Sequence, residues 1–177
     1  PALRDAFQIL SQGRMNPLRG PAELYTLLDT LQIHYDYIEH PPVPTVEEAM
    51  KYWSGIDSGH CKNIFFRNHK GDRHYLVILH HSSKLNIREL EQKLRQGKLS
   101  FASDRRLMQY LGLTPGSVSP FGLINDHTHH VHLFIEKVLH DYERLSFHPN
   151  TNTASLIIPR EGLFRFLAHT GNSYEFI

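Results

Sequence analysis

The chain has a single cysteine, Cys61, so it can form no internal disulfide, and a reducing, cytoplasmic setting is expected. It has no run approaching the roughly 18 apolar residues that span a membrane. Residues 1–20 lack the charged segment followed by an apolar one that marks a secretory signal, so none is expected. Charge of one sign is also missing: 19 basic residues face 18 acidic ones, and a net charge of +1 gives no global field for a polyanion. Any such ligand must be held by local clusters, of which Lys93, Arg95 and Lys98, then Arg105 and Arg106, are the candidates. The absence of a G-x-G-x-x-G turn and of a regular βαβ rhythm disfavours a doubly wound nucleotide fold. No G-x-S-x-G elbow, H-E-x-x-H or C-x-x-C is present, which removes the usual signatures of serine hydrolysis and zinc.

Histidine, by contrast, is plentiful, with 14 in all and His127, His129, His130 and His132 crowded into one segment. Only His130 and His132 would share a strand face, so this segment is expected to be a polar turn and no metal is expected. Cys61 has no oxyanion or triad signature around it and is expected to be a small buried thiol rather than a nucleophile.

A length of 177 residues with 40% hydrophobic content suits one domain with a real core. Leu24, Leu27, Leu28 and Leu31 recur at helical spacing after Gly20 and Pro21. Residues 34–40 alternate like a strand and stop at Pro41, Pro42 and Pro44. Thr45 and Glu48 read as a capping box for a helix whose inner face carries Val46, Ala49, Met50 and Trp53. Residues 64–67 and 74–79 read as a hairpin joined through a loop with Gly71 where positive φ is wanted, the second strand apolar on both faces. Asn86 with Glu89 and then Ser103 signal two more helix starts; residues 131–136 and 154–158 look like strands, Pro159 opens a helix, and residues 174–177 add a short strand. The fold class expected is α/β (α+β): a single domain with a mixed, curved sheet flanked by helices, over residues 21–177, with 1–20 as an appendage.

Within this scaffold Lys62 and Asn63 open an apolar strand, and a loop follows that is stiffened by Pro115 and Pro120 and opened by Gly116. A cation and an amide at a strand entrance, facing a loop with free backbone donors, suit a carbonyl beside a phosphate.

Five blocks carry a resemblance. They are His40-Pro41-Pro42-Val43 with Thr45-Val46-Glu47-Glu48-Ala49; Cys61-Lys62-Asn63-Ile64-Phe65-Phe66-Arg67; Leu99-Ser100-Phe101-Ala102-Ser103; the stretch from Leu111 through Pro115-Gly116-Ser117-Val118-Ser119-Pro120-Phe121 to Asn125-Asp126; and Phe147-His148-Pro149-Asn150-Thr151-Asn152-Thr153. In this order they resemble the YbaK-type prolyl-tRNA editing domains, and within them the free-standing alanyl-tRNA(Pro) deacylases. The resemblance implies that Lys62 is functionally important, with Asn63 beside it to fix orientation. It implies that Gly116, Ser117, Val118, Ser119 and Pro120 shape the aminoacyl pocket, and that His148 and Asn125 contribute to substrate binding. It further implies hydrolysis without metal, cofactor or catalytic cysteine, helped by the 2′-hydroxyl of the terminal adenosine. The partner implied is the acceptor end of mischarged tRNA(Pro), with prolyl-tRNA synthetase as a second. Phe121, Leu123 and Ile124 are candidates for a pocket wall, against an equally good expectation of core packing. Phe66, Gly122 and the histidines after Asn125 depart from the family pattern. Three alternatives stay open: a cysteinyl-tRNA(Pro) deacylase, a non-catalytic module that binds the tRNA end, and a histidine-rich metal protein.

Overall fold

The computed structural model describes residues 19–42 and 46–177. Thr45, and with it the proposed capping box, lies outside the described residues, as do residues 1–18 of the expected appendage. Helix α1 (Pro21–Thr30) starts as the sequence requires, with Pro21 in its first turn and the Gly20 amide donating to the Glu23 carboxylate at 2.9 Å. It buries Leu24 and Leu28 completely. Strand β1 (Asp36–Glu39), helix α2 (Val46–Trp53), β2 (Gly59–Arg67), β3 (His74–His80) and helix α3 (Ile87–Leu94) follow. Next come β4 (Ser100–Phe101), helix α4 (Asp104–Leu111), a 3-10 helix (Pro120–Asn125), β5 (Val131–Ile135), a second 3-10 helix (Lys137–Asp141), β6 (Arg144–Phe147), β7 (Ala154–Pro159), helix α5 (Arg160–Thr170) and β8 (Tyr174–Phe176).

The strands form one mixed sheet in the order β1-β7-β6-β2-β3-β5-β8, with β4 attached to β2 off that path. The 2–3 hairpin is antiparallel from Cys61 opposite His80 to Arg67 opposite His74, whereas β3, β5 and β8 run parallel. Gly71 takes φ +78 in the hairpin turn, as anticipated. β3 is buried along both faces, which fits its central place. Asn86 and Ser103 cap α3 and α4 by accepting from the amides of Glu89 and Arg106, each at 3.3 Å. Pro159 sits at the N-cap of α5, one residue before the helix proper.

Side chains alternate across the sheet, so each strand feeds two cores. On one face Cys61, Phe65, Leu76, Ile78, Leu133 and Leu156 meet α1, α4 and α5 through Leu28, Leu111 and Phe166. On the other, Phe66, Val77, Leu79 and Phe134 pack under Leu90 of α3. Trp53 of α2 covers that same face at its β7 end, donating from Nε1 to Ser155 Oγ at 3.0 Å and lying flat on His60. Between α2 and α3 the sheet is roofed by neither, and β2 runs along the floor of that gap.

Candidate active site

β6 runs parallel to β2 only over Gly59 and His60, opposite Leu145 and Ser146. On the same edge β4 takes up pairing at Phe66 and Arg67. The intervening residues Lys62, Asn63 and Ile64 therefore border a split where two parallel strands diverge, the kind of opening that binds ligands in open α/β sheets.

The two strand residues singled out in the sequence point opposite ways across this split. Lys62 alternates with Cys61 and Phe65, which belong to the core under α4, so it lies on the α2/α3 face, half-buried, and its ammonium donates to the Ser83 carbonyl. Asn63 shares the Cys61 face, and its buried Oδ1 has no hydrogen-bond partner among the described residues. A buried acceptor without a donor is uncommon and marks a place where a ligand donor fits.

The 116–120 loop leads into the 3-10 helix whose Phe121 packs on Phe147, on the sheet face that Asn63 shares. Gly116 takes φ +83, which only glycine adopts without strain, and its Cα faces the Asn152 carboxamide. Ser117 N–H is already committed to Thr114 O at 3.1 Å, so it is no ligand donor. The amides of Gly116, Val118 and Ser119 find no acceptor among the described residues. Ser117 and Ser119 are buried residues, and Ser119 Oγ caps the 3-10 helix by accepting from Phe121 N at 3.2 Å. The loop thus offers backbone donors at Gly116, Val118 and Ser119. Pro120 is buried as the first residue of that helix.

The turn between β6 and β7 meets this loop. Asn150, at φ +61, donates from Nδ2 to Phe121 O at 3.3 Å, and its own Oδ1 is buried without a partner. His148 lies just past β6, on the same face as Ser146 and Lys62 because Phe147 faces the other core. Its Nδ1 lies 2.9 Å from Ala154 O, an atom that can only accept, so Nδ1 carries the proton and Nε2 keeps its lone pair. Burial lowers the His148 pKa below the ordinary histidine value; the bond to Ala154 opposes that shift and nearby His40 adds to it. At neutral pH the imidazole is a neutral acceptor.

Behind His148 stands a polar network that the sequence did not disclose. His40 Nε2 and Trp53 Nε1 both bond Ser155 Oγ at 3.0 Å, and His60 Nδ1 bonds Ser146 Oγ at 3.0 Å. The available signal was period two: Ser146 and Ser155 are polar interruptions on the α2 face of otherwise apolar strands.

Other expected positions serve elsewhere. Asn125 is spent on backbone: Oδ1 accepts from Arg19 N at 2.7 Å, and Nδ2 donates to Arg19 O and Leu111 O, each at 3.1 Å. It buckles the entry of α1 to the end of α4. Phe121, fully buried, meets Phe147 and Phe166 edge-on, and Leu123 and Ile124 are also core; the latter two line a separate hollow with Arg19, Asp126 and His129. Cys61 is 5% exposed, and burial pushes its thiol far above the ordinary range, which leaves it protonated.

Among the described residues no group of three or more His, Cys, Asp or Glu is arranged to hold a metal ion. Within the histidine-rich segment His127 and His129 lie exposed on a turn, as expected, while His130 and His132 are half-buried and bonded to neighbouring side chains. Arg106 Nη1 donates to His74 Nε2 at 2.9 Å, so His74 carries its proton on Nδ1 and donates to His130 Nε2 at 2.8 Å. No helix among the described residues is long and apolar enough to cross a membrane.

Residues 40–166 match the aminoacyl-tRNA editing domain. The chain is 41% identical over 150 residues to the prolyl-tRNA editing protein ProX of Acetoanaerobium sticklandii, covering 85% of this chain and 92% of that one. It is 33% identical over 153 residues to prolyl-tRNA synthetase associated domain-containing protein 1 of Xenopus laevis, covering 85% and 91%. The fold is shared with the crystal structure of a candidate trans-editing enzyme for prolyl tRNA synthetase, at a TM-score of 0.66 and 19% identity over 90% of this chain and 98% of that one. The chain belongs to the aminoacyl-tRNA editing domain family.

Proposed function

We propose that this chain, an aminoacyl-tRNA deacylase by family, acts in trans on mischarged tRNA(Pro) and removes alanine. The observation that carries the proposal is the split beside β2, bordered by an ammonium (Lys62), a neutral histidine lone pair (His148 Nε2) and a loop with three uncommitted amides.

An aminoacyl ester is already activated, so hydrolysis asks only for a positioned water and donors for the developing oxyanion. In this reading the terminal adenosine lies against the Lys62 face and its ester carbonyl turns toward the amides of Gly116, Val118 and Ser119. Water attacks the carbonyl carbon and gives up a proton to His148 Nε2, or to the 2′-hydroxyl as that group passes its own proton to the 3′-oxygen. The C–O bond to the ribose then breaks, the 3′-oxygen leaves with the proton relayed to it by His148 or the 2′-hydroxyl, and the free amino acid loses its carboxyl proton to solvent. Asn63 Oδ1 and Asn150 Oδ1, buried acceptors that lack donors, suit the α-ammonium of the amino acid.

Substrate choice follows from magnitudes. A proline-binding synthetase pocket rejects the smaller alanine by only about 1–3 kcal/mol per missing methylene, so a second site that admits the small side chain and excludes the ring restores fidelity. The loop of this chain, backed by the fully packed Phe121, suits such a size test. The name of the Xenopus laevis relative makes prolyl-tRNA synthetase the partner to test by co-purification. Single-turnover deacylation of Ala-tRNA(Pro) beside Cys-tRNA(Pro) and Pro-tRNA(Pro) tests the proposal: alanine should be lost first, and loss of cysteine alone would move the chain to a different specificity.

A further inference from the structure

Phe101 is 71% exposed, more than any other large hydrophobic residue among those described. A lone exposed apolar side chain is ordinary in itself. Three features set this one apart. It is held rather than loose: its ring stacks on Phe66, with centroids 5.3 Å apart and planes 18° from parallel, and Phe66 beneath is 1% exposed. One flat face is therefore fixed and the other is presented to solvent.

Its place in the fold is the second feature. Phe101 is the cross-strand partner of Phe66, so it shares the sheet face of Phe66, Ile64 and Lys62. Along β2 the four steps from Lys62 to Phe66 span about 13 Å at ~3.3 Å each. Phe101 thus stands at the far rim of the same split, on the side opposite β6 and His148, within reach of a nucleotide or two of extended strand. The third feature is charge: Lys98 and Arg105 are exposed on either side of the ring in sequence, against the single carboxylate of Asp104.

A fixed aromatic face on a basic surface is how proteins hold unpaired bases without reading their identity, and here the exposed cations are near neighbours of the ring in sequence. We infer that Phe101 is the stacking platform for an unpaired base of the tRNA 3′ end, one or two nucleotides before the terminal adenosine whose ester lies at Lys62. The inference rests on the deacylase reading above and adds a subsite to it. The platform anchors the strand so that the terminal ribose enters the split from the β4 side.

The experiment compares wild type, Phe101→Ala and Phe101→Tyr on two substrates, Ala-tRNA(Pro) and 3′-O-alanyl-adenosine, which keeps the terminal adenosine but has no preceding nucleotide whose base could stack on Phe101. On the tRNA, Phe101→Ala should raise the half-saturating enzyme concentration about 5- to 100-fold with little change in the maximal single-turnover rate, and Phe101→Tyr should behave as wild type. On alanyl-adenosine all three should be equal, which a folding defect would not allow. Equal half-saturation of wild type and Phe101→Ala on the tRNA would overturn the platform while leaving the deacylase reading intact. A matching loss on alanyl-adenosine, or a loss of self-association with unchanged deacylation, would overturn it too. Failure of wild type on both substrates would sink the deacylase reading first and the platform with it.

Discussion

His40 and His148 meet edge to face, with ring centroids 5.8 Å apart and planes at 64°. Each gives its Nδ1 proton to a backbone carbonyl, Pro41 O and Ala154 O, both at 2.9 Å. They differ at the other nitrogen. His40 Nε2 is tied to Ser155 Oγ, whereas His148 Nε2 has no partner among the described residues. One ring is a locked support and the other is an open acceptor.

That asymmetry predicts a pH profile. His148 has its pKa lowered by burial, so its lone pair persists below the ordinary histidine value and is lost only on further acidification. Single-turnover deacylation should fall as the pH drops through that lowered value. His148→Gln should lower the plateau by about 100-fold and abolish this limb of the profile. An unchanged profile in the variant would remove His148 from the chemistry.

Among the described residues the Lys62 ammonium hydrogen-bonds only the Ser83 carbonyl, so little of the fold depends on it. Lys62→Ala should cut the rate by about 100-fold or more while the melting temperature stays within a few degrees. Unaltered turnover would contradict the role assigned to its charge.

Asn125 makes the opposite case. Its three bonds, a buried one to Leu111 and two partly buried ones to Arg19, are structural, so Asn125→Ala should cost about 2–3 kcal/mol of stability by leaving backbone groups unsatisfied. Deacylation by the folded fraction should be preserved at low temperature. A large loss of rate with no loss of stability would restore the substrate-binding role expected from the sequence.

His60 and His74 supply an acid sensitivity that is separate from catalysis. Burial, reinforced by His81 at His60 and by His130 at His74, lowers each pKa from 6.5 to about 4. Between those values the unfolded chain binds protons that the folded chain refuses, so stability rises with pH and is lost as pH falls from about 6.5 toward 4. Melting temperature against pH should decline across that window. His74→Gln should shallow the slope there, and a flat curve in wild type would show that neither ring is held neutral.

Much of the scaffold was legible because its signals were local. Asn86 and Ser103 capped the helices they introduced, Gly71 turned the hairpin, and the two-sided apolarity of residues 74–79 correctly placed that strand centrally. β4 and β6 were missed: Ser100–Phe101 and Arg144–Phe147 are too short to show a period, and their pairing with β2 is a tertiary choice. The strand was read over 64–67 with Lys62 and Asn63 at its entrance, yet β2 begins earlier, at Gly59, because His60 and Lys62 are polar residues that a strand between two helices can bury in part. For the same reason Lys62 and Asn63 looked like one adjacent pair, when strand alternation sends them to opposite faces. Asn125 and Phe121 were drawn toward the site by proximity in sequence to the 116–120 loop, and only packing separates the loop from its support.

The most direct test is single-turnover deacylation of Ala-tRNA(Pro), Cys-tRNA(Pro) and Pro-tRNA(Pro) by the same protein with a chelator present throughout. The account predicts rapid loss of alanine, little loss of cysteine and survival of the prolyl ester. Survival of all three esters, with tRNA binding retained, would contradict it.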